Sequence, residues 1–182
     1  MNKILKLAFV LFLICAITAG VLGGVNELTK DRIAQINREK TAQAYNKVLP
    51  AEDYDEVEFD AADPAFANVK KISKGTGDEG YVVETEFSGA QGKITMAVGV
   101  SNDNKCTGIS IIKHSETSGL GANAASTGEV GVNFRSQFVG VDENVALAKA
   151  GGEIDALTGA TITSRSITQA VANAIRSVEA LG

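Results

Sequence analysis

From Leu7 to Val25 the chain carries no charged residue: LAFVLFLICAITAGVLGGV. As a helix rising ~1.5 Å per residue, this run nearly spans a ~30 Å hydrocarbon core, which commits one end of the protein to a bilayer. A cleaved signal peptide is the competing reading, with Thr18, Ala19 and Gly20 as a site of small residues. The run exceeds the ~7–15 apolar residues of a usual signal core, so residues 1–25 are expected to be an anchor. A lipoprotein reading of Cys15 meets Ile14 where a small residue would be expected. Lys3 and Lys6 favour a cytoplasmic N-terminus, whereas Lys30, Arg32, Arg38 and Lys40 follow the span closely, so charge alone does not orient it. A long C-terminal domain can still translocate. The expectation is a single-pass protein of the cell (inner) membrane with its globular domain on the extracytoplasmic side.

Residues 26–50 hold good helix formers and end at a proline, which predicts a helical stalk leaving the bilayer as a solvated spacer. The stretch Ala51 to Asp63 carries Glu52, Asp53, Asp55, Glu56 and Glu58 and reads as a solvated acidic connector. It lacks the ordered spacing and turn glycine of a calcium loop. Strands follow at Val69–Ser73, Gly80–Phe87, Lys93–Val100 and Cys106–His114, the last largely buried. In the second, Tyr81, Val83, Thr85 and Phe87 oppose Val82, Glu84 and Glu86. The turns at 88–92 and 101–105 are hairpin-length, so the strands should pair antiparallel. Ile167, Val171, Ala174, Ile175 and Val178 recur at helical spacing near the C-terminus, and Ser166 with Gln169 suits a capping box. The fold class expected is α+β: an antiparallel sheet with flanking helices, preceded by one N-terminal transmembrane helix. The globular domain is taken as residues 51–182.

Composition narrows the function. A net charge of −5 and the absence of Trp argue against a nucleic-acid partner, which needs a basic face or a stacking platform. Cys15 and Cys106 are too far apart in sequence for a CxxC pair, and the membrane placement of Cys15 keeps the two in different phases. Cys106 reads as a small core residue, with an exposed thiol as the alternative. His114 is the only histidine. A His-based metal site or a Ser-His-Asp triad has little to draw on, and a structural strand-end role is preferred. No catalytic residue and no metal site is expected.

Two segments break the pattern of strands and turns. HSETSGLGANAAS, His114 to Ser126, leaves a strand as a glycine-rich loop in which Gly119 and Gly121 permit positive φ and close backbone approach. A plain surface loop fits it equally well. IDALTGATITSRS, Ile154 to Ser166, packs Thr158, Gly159, Ala160, Thr161, Thr163 and Ser164 just before the C-terminal helix. Unpaired N–H groups and the helix dipole favour an anion at such a place, and Gly159 and Ala160 leave room beside the next hydroxyl. On physics alone an N-cap with spare threonines is the preferred reading over a ligand site.

The run DALTGAT, Asp155 to Thr161, resembles the flavinylation motif of the FMN-binding domain family shared by the G subunit of the Rnf complex and the C subunit of the sodium-pumping NADH:quinone reductase. HSETSGLG resembles that family's second signature, with Ser118 in place of a proline. A single N-terminal span before the domain also matches, and the short chain looks more like the Rnf protein. The resemblance implies FMN bound covalently through a phosphoester to Thr161, installed from FAD by a magnesium-dependent flavin transferase. It implies that Thr158, Gly159, Ala160 and Thr163 shape the phosphate pocket and that Asp155 positions the segment or the transferase. Glu116, Thr117, Gly119, Leu120 and Gly121 would approach the flavin from the second loop, with Leu120 against the ring. The implied role is an electron-transfer subunit, without independent catalysis, in a membrane ferredoxin:NAD oxidoreductase that pumps sodium ions or protons. Its partners would be the membrane and iron-sulfur subunits of an Rnf-type complex and the lipid bilayer. A flavin subunit of another membrane reductase, or a non-redox tethered binding module, are the alternatives.

Overall fold

The computed structural model describes residues 3–77 and 80–181; Met1 and Asn2 of the expected anchor, and Gly182 of the expected domain, lie outside the described residues. Helix α1 runs Lys3–Val48. Its N-terminal part belongs to a first compact unit, Met1–Lys40, and its last turns to a second, Thr41–Gly182. The apolar window of α1 has a mean hydropathy of 2.5 and is 0% buried within the chain, so this helix is long and apolar enough to cross a membrane.

The second unit is built on a five-stranded antiparallel meander in the order β1-β2-β3-β4-β5. The strands are β1 (Tyr54–Val57), β2 (Val69–Gly75), β3 (Tyr81–Ser88), β4 (Lys93–Val100) and β5 (Cys106–Lys113). Alternation in β3 does what period-2 patterning requires. Val83, Thr85 and Phe87 face one side and are buried there. Opposite them Val98, Met96 and Ile94 continue the same layer from β4.

Helix α3 (Thr161–Glu179) covers that layer with Ile167, Val171, Ala174, Ile175 and Val178. These side chains are at most 5% exposed, and each Ile or Val among them stabilises the fold by about 1.5–3 kcal/mol relative to leaving it in water. Helix α2 (Glu129–Ser136) joins the same core through Phe134, whose ring meets Phe138 edge-on at 5.4 Å. Cys106 is buried there as expected, and burial pushes its thiol up to about 12. The opposite sheet face carries a smaller cluster of Val82 and Ala97 with Ala44, Tyr45, Val48 and Leu49 from the end of α1.

Four expectations change. Residues 54–57 are not a solvated connector but the edge strand β1, because Asp55 and Glu56 pair in register with the lysine-rich β2 and Glu56 meets Lys71 at 2.8 Å. The stalk is not solvated to its end. Tyr45 and Val48 lie on the sheet, Thr107 donates to the Val48 carbonyl, and burial, with Glu84 nearby, pushes the Tyr45 hydroxyl up to about 12. Strand β5 is half-buried at Ile111 and Ile112, since it forms the other edge of the sheet. Ser166 is not an N-cap: α3 starts at Thr161, and Ser166 stands inside it.

Candidate functional site

Between α2 and α3 the chain folds into a compact loop that ends at Thr161. Leu147 and Ile154 form a parallel bridge through hydrogen bonds from Ala148 N–H to the Ile154 carbonyl (2.9 Å) and from Ile154 N–H to the Ala146 carbonyl (3.1 Å), and Gly152 N–H donates to the Leu147 carbonyl (3.0 Å) within the turn. Gln137 then pins Asp155 at two points. Its Oε1 accepts from Asp155 N–H at 2.7 Å, and its Nε2 donates to the Asp155 carbonyl at 3.3 Å. The Asp155 side chain is left exposed.

The TGAT turn is held from below by Ser164. Its hydroxyl accepts from Leu157 N–H at 2.9 Å and donates to the Ala160 carbonyl at 3.0 Å. Gly159 takes φ +72°, the left-handed region that disfavours a side chain, and a Cβ there would lie 2.9 Å from Leu120 Cδ2. Ala160 is the N-cap of α3 and offers no side-chain hydrogen bond, and no acidic residue lies in the first turn. The start of this nineteen-residue helix is therefore electropositive and uncapped from its own chain.

Thr161 is half-buried at the meeting of two clefts of about 320 and 190 Å³. The first is walled by Asp155, Leu157, Thr158 and Gly159, the second by Val145, Arg165 and Gln169; Leu147 and Lys149 line both. Two hydroxyls of the cluster thus part company. Thr161 faces the clefts, whereas Thr163 is 1% exposed and its hydroxyl donates to Glu116 Oε2 at 2.5 Å.

Glu116 joins the second loop to the first. Buried to 8% exposure, it accepts from Thr163 and, at 3.0 Å, from Gln91 N–H in the β3–β4 turn. A Cβ on Gly121 would collide with that carboxylate and stand 2.7 Å from Thr163 Oγ1. Glycine at 121 thus lets the two loops close on each other. Gly119 sits at φ +78°, and the Thr117 carbonyl accepts from Leu120 and Ala122 N–H, folding the loop so that Leu120 remains 43% exposed beside Gly159. His114 Nδ1 accepts from Glu116 N–H at 3.3 Å, a structural role.

The structure therefore brings Thr158, Gly159, Thr161 and Asp155 to one cleft and Leu120 to its rim. It places Glu116, Gly121 and Thr163 beneath, in contact with one another. Sequence reading missed Gln137, Gln91, Lys149 and Arg165. Arg165 was within reach, since it lies one helical turn beyond Thr161; the others come from distant loops.

A family model described as FMN-binding domain matches residues 89–176, and one described as RnfG N-terminal region matches residues 1–48. The chain is 34% identical to the G subunit of an ion-translocating oxidoreductase complex from Methanosarcina acetivorans, over 98% of this chain and 96% of that one. It is 34% identical to the G subunit of the Na(+)-translocating ferredoxin:NAD(+) oxidoreductase complex of Acetobacterium woodii, covering 92% and 88% of the two chains. It is 32% identical to the proton-translocating counterpart from Clostridium ljungdahlii, over 97% and 92%. Among solved structures, the C subunit of the Na(+)-translocating NADH-quinone reductase from Parabacteroides distasonis aligns with a TM-score of 0.47 at 21% identity, over 76% of this chain and 80% of that one, too distant to carry an argument.

Proposed function

Because the chain belongs to the G-subunit family of ion-translocating oxidoreductase complexes, we propose that it is the flavin-carrying electron-transfer subunit of a membrane ferredoxin:NAD oxidoreductase that moves sodium ions or protons. FMN is held through a phosphoester to Thr161, and its isoalloxazine ring supplies the electron chemistry when bound. The observation that carries this reading is the uncapped, electropositive start of α3 with Thr161 lining two clefts. A covalent link leaves no dissociation equilibrium, so the cofactor is retained on a domain exposed to an open compartment.

Attachment requires the Thr161 oxygen to form a bond to the FMN phosphorus of FAD. The pyrophosphate bond breaks, AMP leaves, and the hydroxyl proton passes to a base on a separate magnesium-dependent transferase. The chain's own part is to present the hydroxyl: Gly159 keeps the approach bare, Gln137 holds the Asp155 backbone, and Ser164 locks the turn. Asp155 orients the segment for the transferase. Glu116 and Thr163 serve the site from below by tying the second loop to the first turn of α3, and Leu120 offers an apolar surface to the ring.

Intact-mass spectrometry with peptide mapping tests this on protein purified from its own cells. The expected result is one FMN, less water, on the peptide containing Thr161; an unmodified peptide in flavin-replete cells overturns the reading. The same reading puts the domain on the extracytoplasmic side as a proposal, with the membrane and iron-sulfur subunits of the complex as its proposed neighbours. Cleavage of the domain by an impermeant protease added to the outside of spheroplasts, and co-purification of those subunits in mild detergent, are the outcomes expected.

A further inference from the structure

We propose that Lys149 and Arg165 form a cationic pincer that receives the phosphates of the incoming flavin nucleotide and then flanks the phosphodiester at Thr161. The inference rests on the reading of Thr161 as acceptor.

The two residues arrive from different parts of the fold. Lys149 sits in the short 3₁₀ turn Ala148–Ala150, whose base is fixed by the Leu147–Ile154 bridge and closed by Gly151 at φ +87°. Arg165 projects from α3 one turn beyond Thr161. Lys149 lines both clefts that meet at Thr161, and Arg165 lines the smaller one together with Lys149. Both are exposed, and among the described residues neither makes an ion pair or a side-chain hydrogen bond.

Of the other cations in the unit, Lys47 and Lys113 line neither cleft, and most of the rest are occupied. Arg135 donates to the carbonyls of Ala124 and Ser126 at 2.6 and 2.8 Å, Arg176 donates to the Glu143 carbonyl at 2.9 Å, and Lys70, Lys71, Lys93 and Lys105 each meet a carboxylate. The acid on the same cleft is Asp155, and Glu116 lies beneath, bonded to Thr163.

Two cations and an uncapped helix start border the clefts at Thr161, the residue that must meet a pyrophosphate carrying two negative charges. After transfer one charge remains on the diester, so the pincer matters most during loading. Charge-assisted contacts to phosphate oxygens are the strong class of hydrogen bond, and arginine adds a planar fork suited to them.

The test uses the full chain in detergent with purified flavin transferase, FAD and magnesium, following covalent incorporation by intact mass. K149Q/R165Q is expected to load roughly tenfold more slowly than the native chain, a factor that corresponds to ~1.4 kcal/mol. Added salt should slow the native chain more than the double variant. K149R, which keeps the charge, should load at near the native rate, and R165K, which keeps the charge but loses the fork, should fall between the native chain and the double variant. Circular dichroism and thermal melting of the unloaded variants establish that they fold. Folded K149Q/R165Q loading at the native rate with the native salt dependence, its flavin mapped to Thr161, overturns the pincer and leaves the acceptor assignment standing. Flavin mapped to another residue of the native chain overturns both.

Discussion

The two helices of the globular unit begin differently, although neither has a side-chain cap. Helix α2 starts behind Gly128, whose N–H is taken by Ser126 Oγ at 3.0 Å, and Glu129 stands in its first turn. A carboxylate there complements the positive end of the helix dipole. Helix α3 starts behind Ala160, has no acid in its first turn, presents Ile162 at 62% exposure and is followed one turn on by Arg165. The shorter helix is neutralised by its own sequence, and the longer one leaves its positive end for something else. Beneath that open end the packing is complete. Glu116 accepts from Thr163 and Gln91 N–H, Gly121 lets the loops close on that carboxylate, and Ser164 ties Leu157 N–H to the Ala160 carbonyl, so the site is rigid on its inner side and unfinished on its outer side.

The largest expected effect breaks the contrast outright. Thr161→Val should abolish covalent flavin, read as loss of in-gel fluorescence and of the added mass, while circular dichroism stays native; retained covalent flavin would show that the start of α3 is not the attachment point. Next comes the inner side. Glu116→Ala leaves the Thr163 hydroxyl and Gln91 N–H without their buried acceptor and should destabilise the unit by about 1–3 kcal/mol in urea melts. No measurable change would mean that the two loops close without the carboxylate. Gln137→Ala should lower stability by about 0.5–1.5 kcal/mol per lost hydrogen bond and reduce flavin loading, because the Asp155 backbone is released. Loss of stability with unimpaired loading would confine Gln137 to the fold. The smallest effects sharpen the comparison. Ile162→Glu gives α3 the acid that α2 already has, and should stabilise the unloaded unit by about 0.3–1 kcal/mol while slowing loading. Glu129→Gln should destabilise by a similar amount without touching loading. Equal effects of the two substitutions on loading would dissolve the distinction between the helix starts.

The long apolar helix, four of the five strands and α3 were readable because each depends on a pattern within one segment: an uncharged run, a period of two, a period of 3.6. Strand β1 was not, because its acidic residues look solvated until β2 lines its lysines against them. Helix α2 was not, since EVGVNFRS is short and contains glycine, and Phe134 needs the core to hold it. At the site, Thr161 and its neighbours were legible as a hydroxyl-rich turn ahead of a helix. The pairing of Glu116 with Thr163 was not, because it joins residues from separate loops.

What the sequence by itself determined is whatever local chemistry dictates: a bilayer-length apolar run, alternating strands, and a turn whose glycine and small residues bare one hydroxyl. Only the tertiary structure decided which hydroxyl of the cluster faces outward, where the helix behind it begins, and which cations stand beside it. Those outcomes depend on contacts between chain segments far apart in sequence, and no single stretch carries both partners of such a contact.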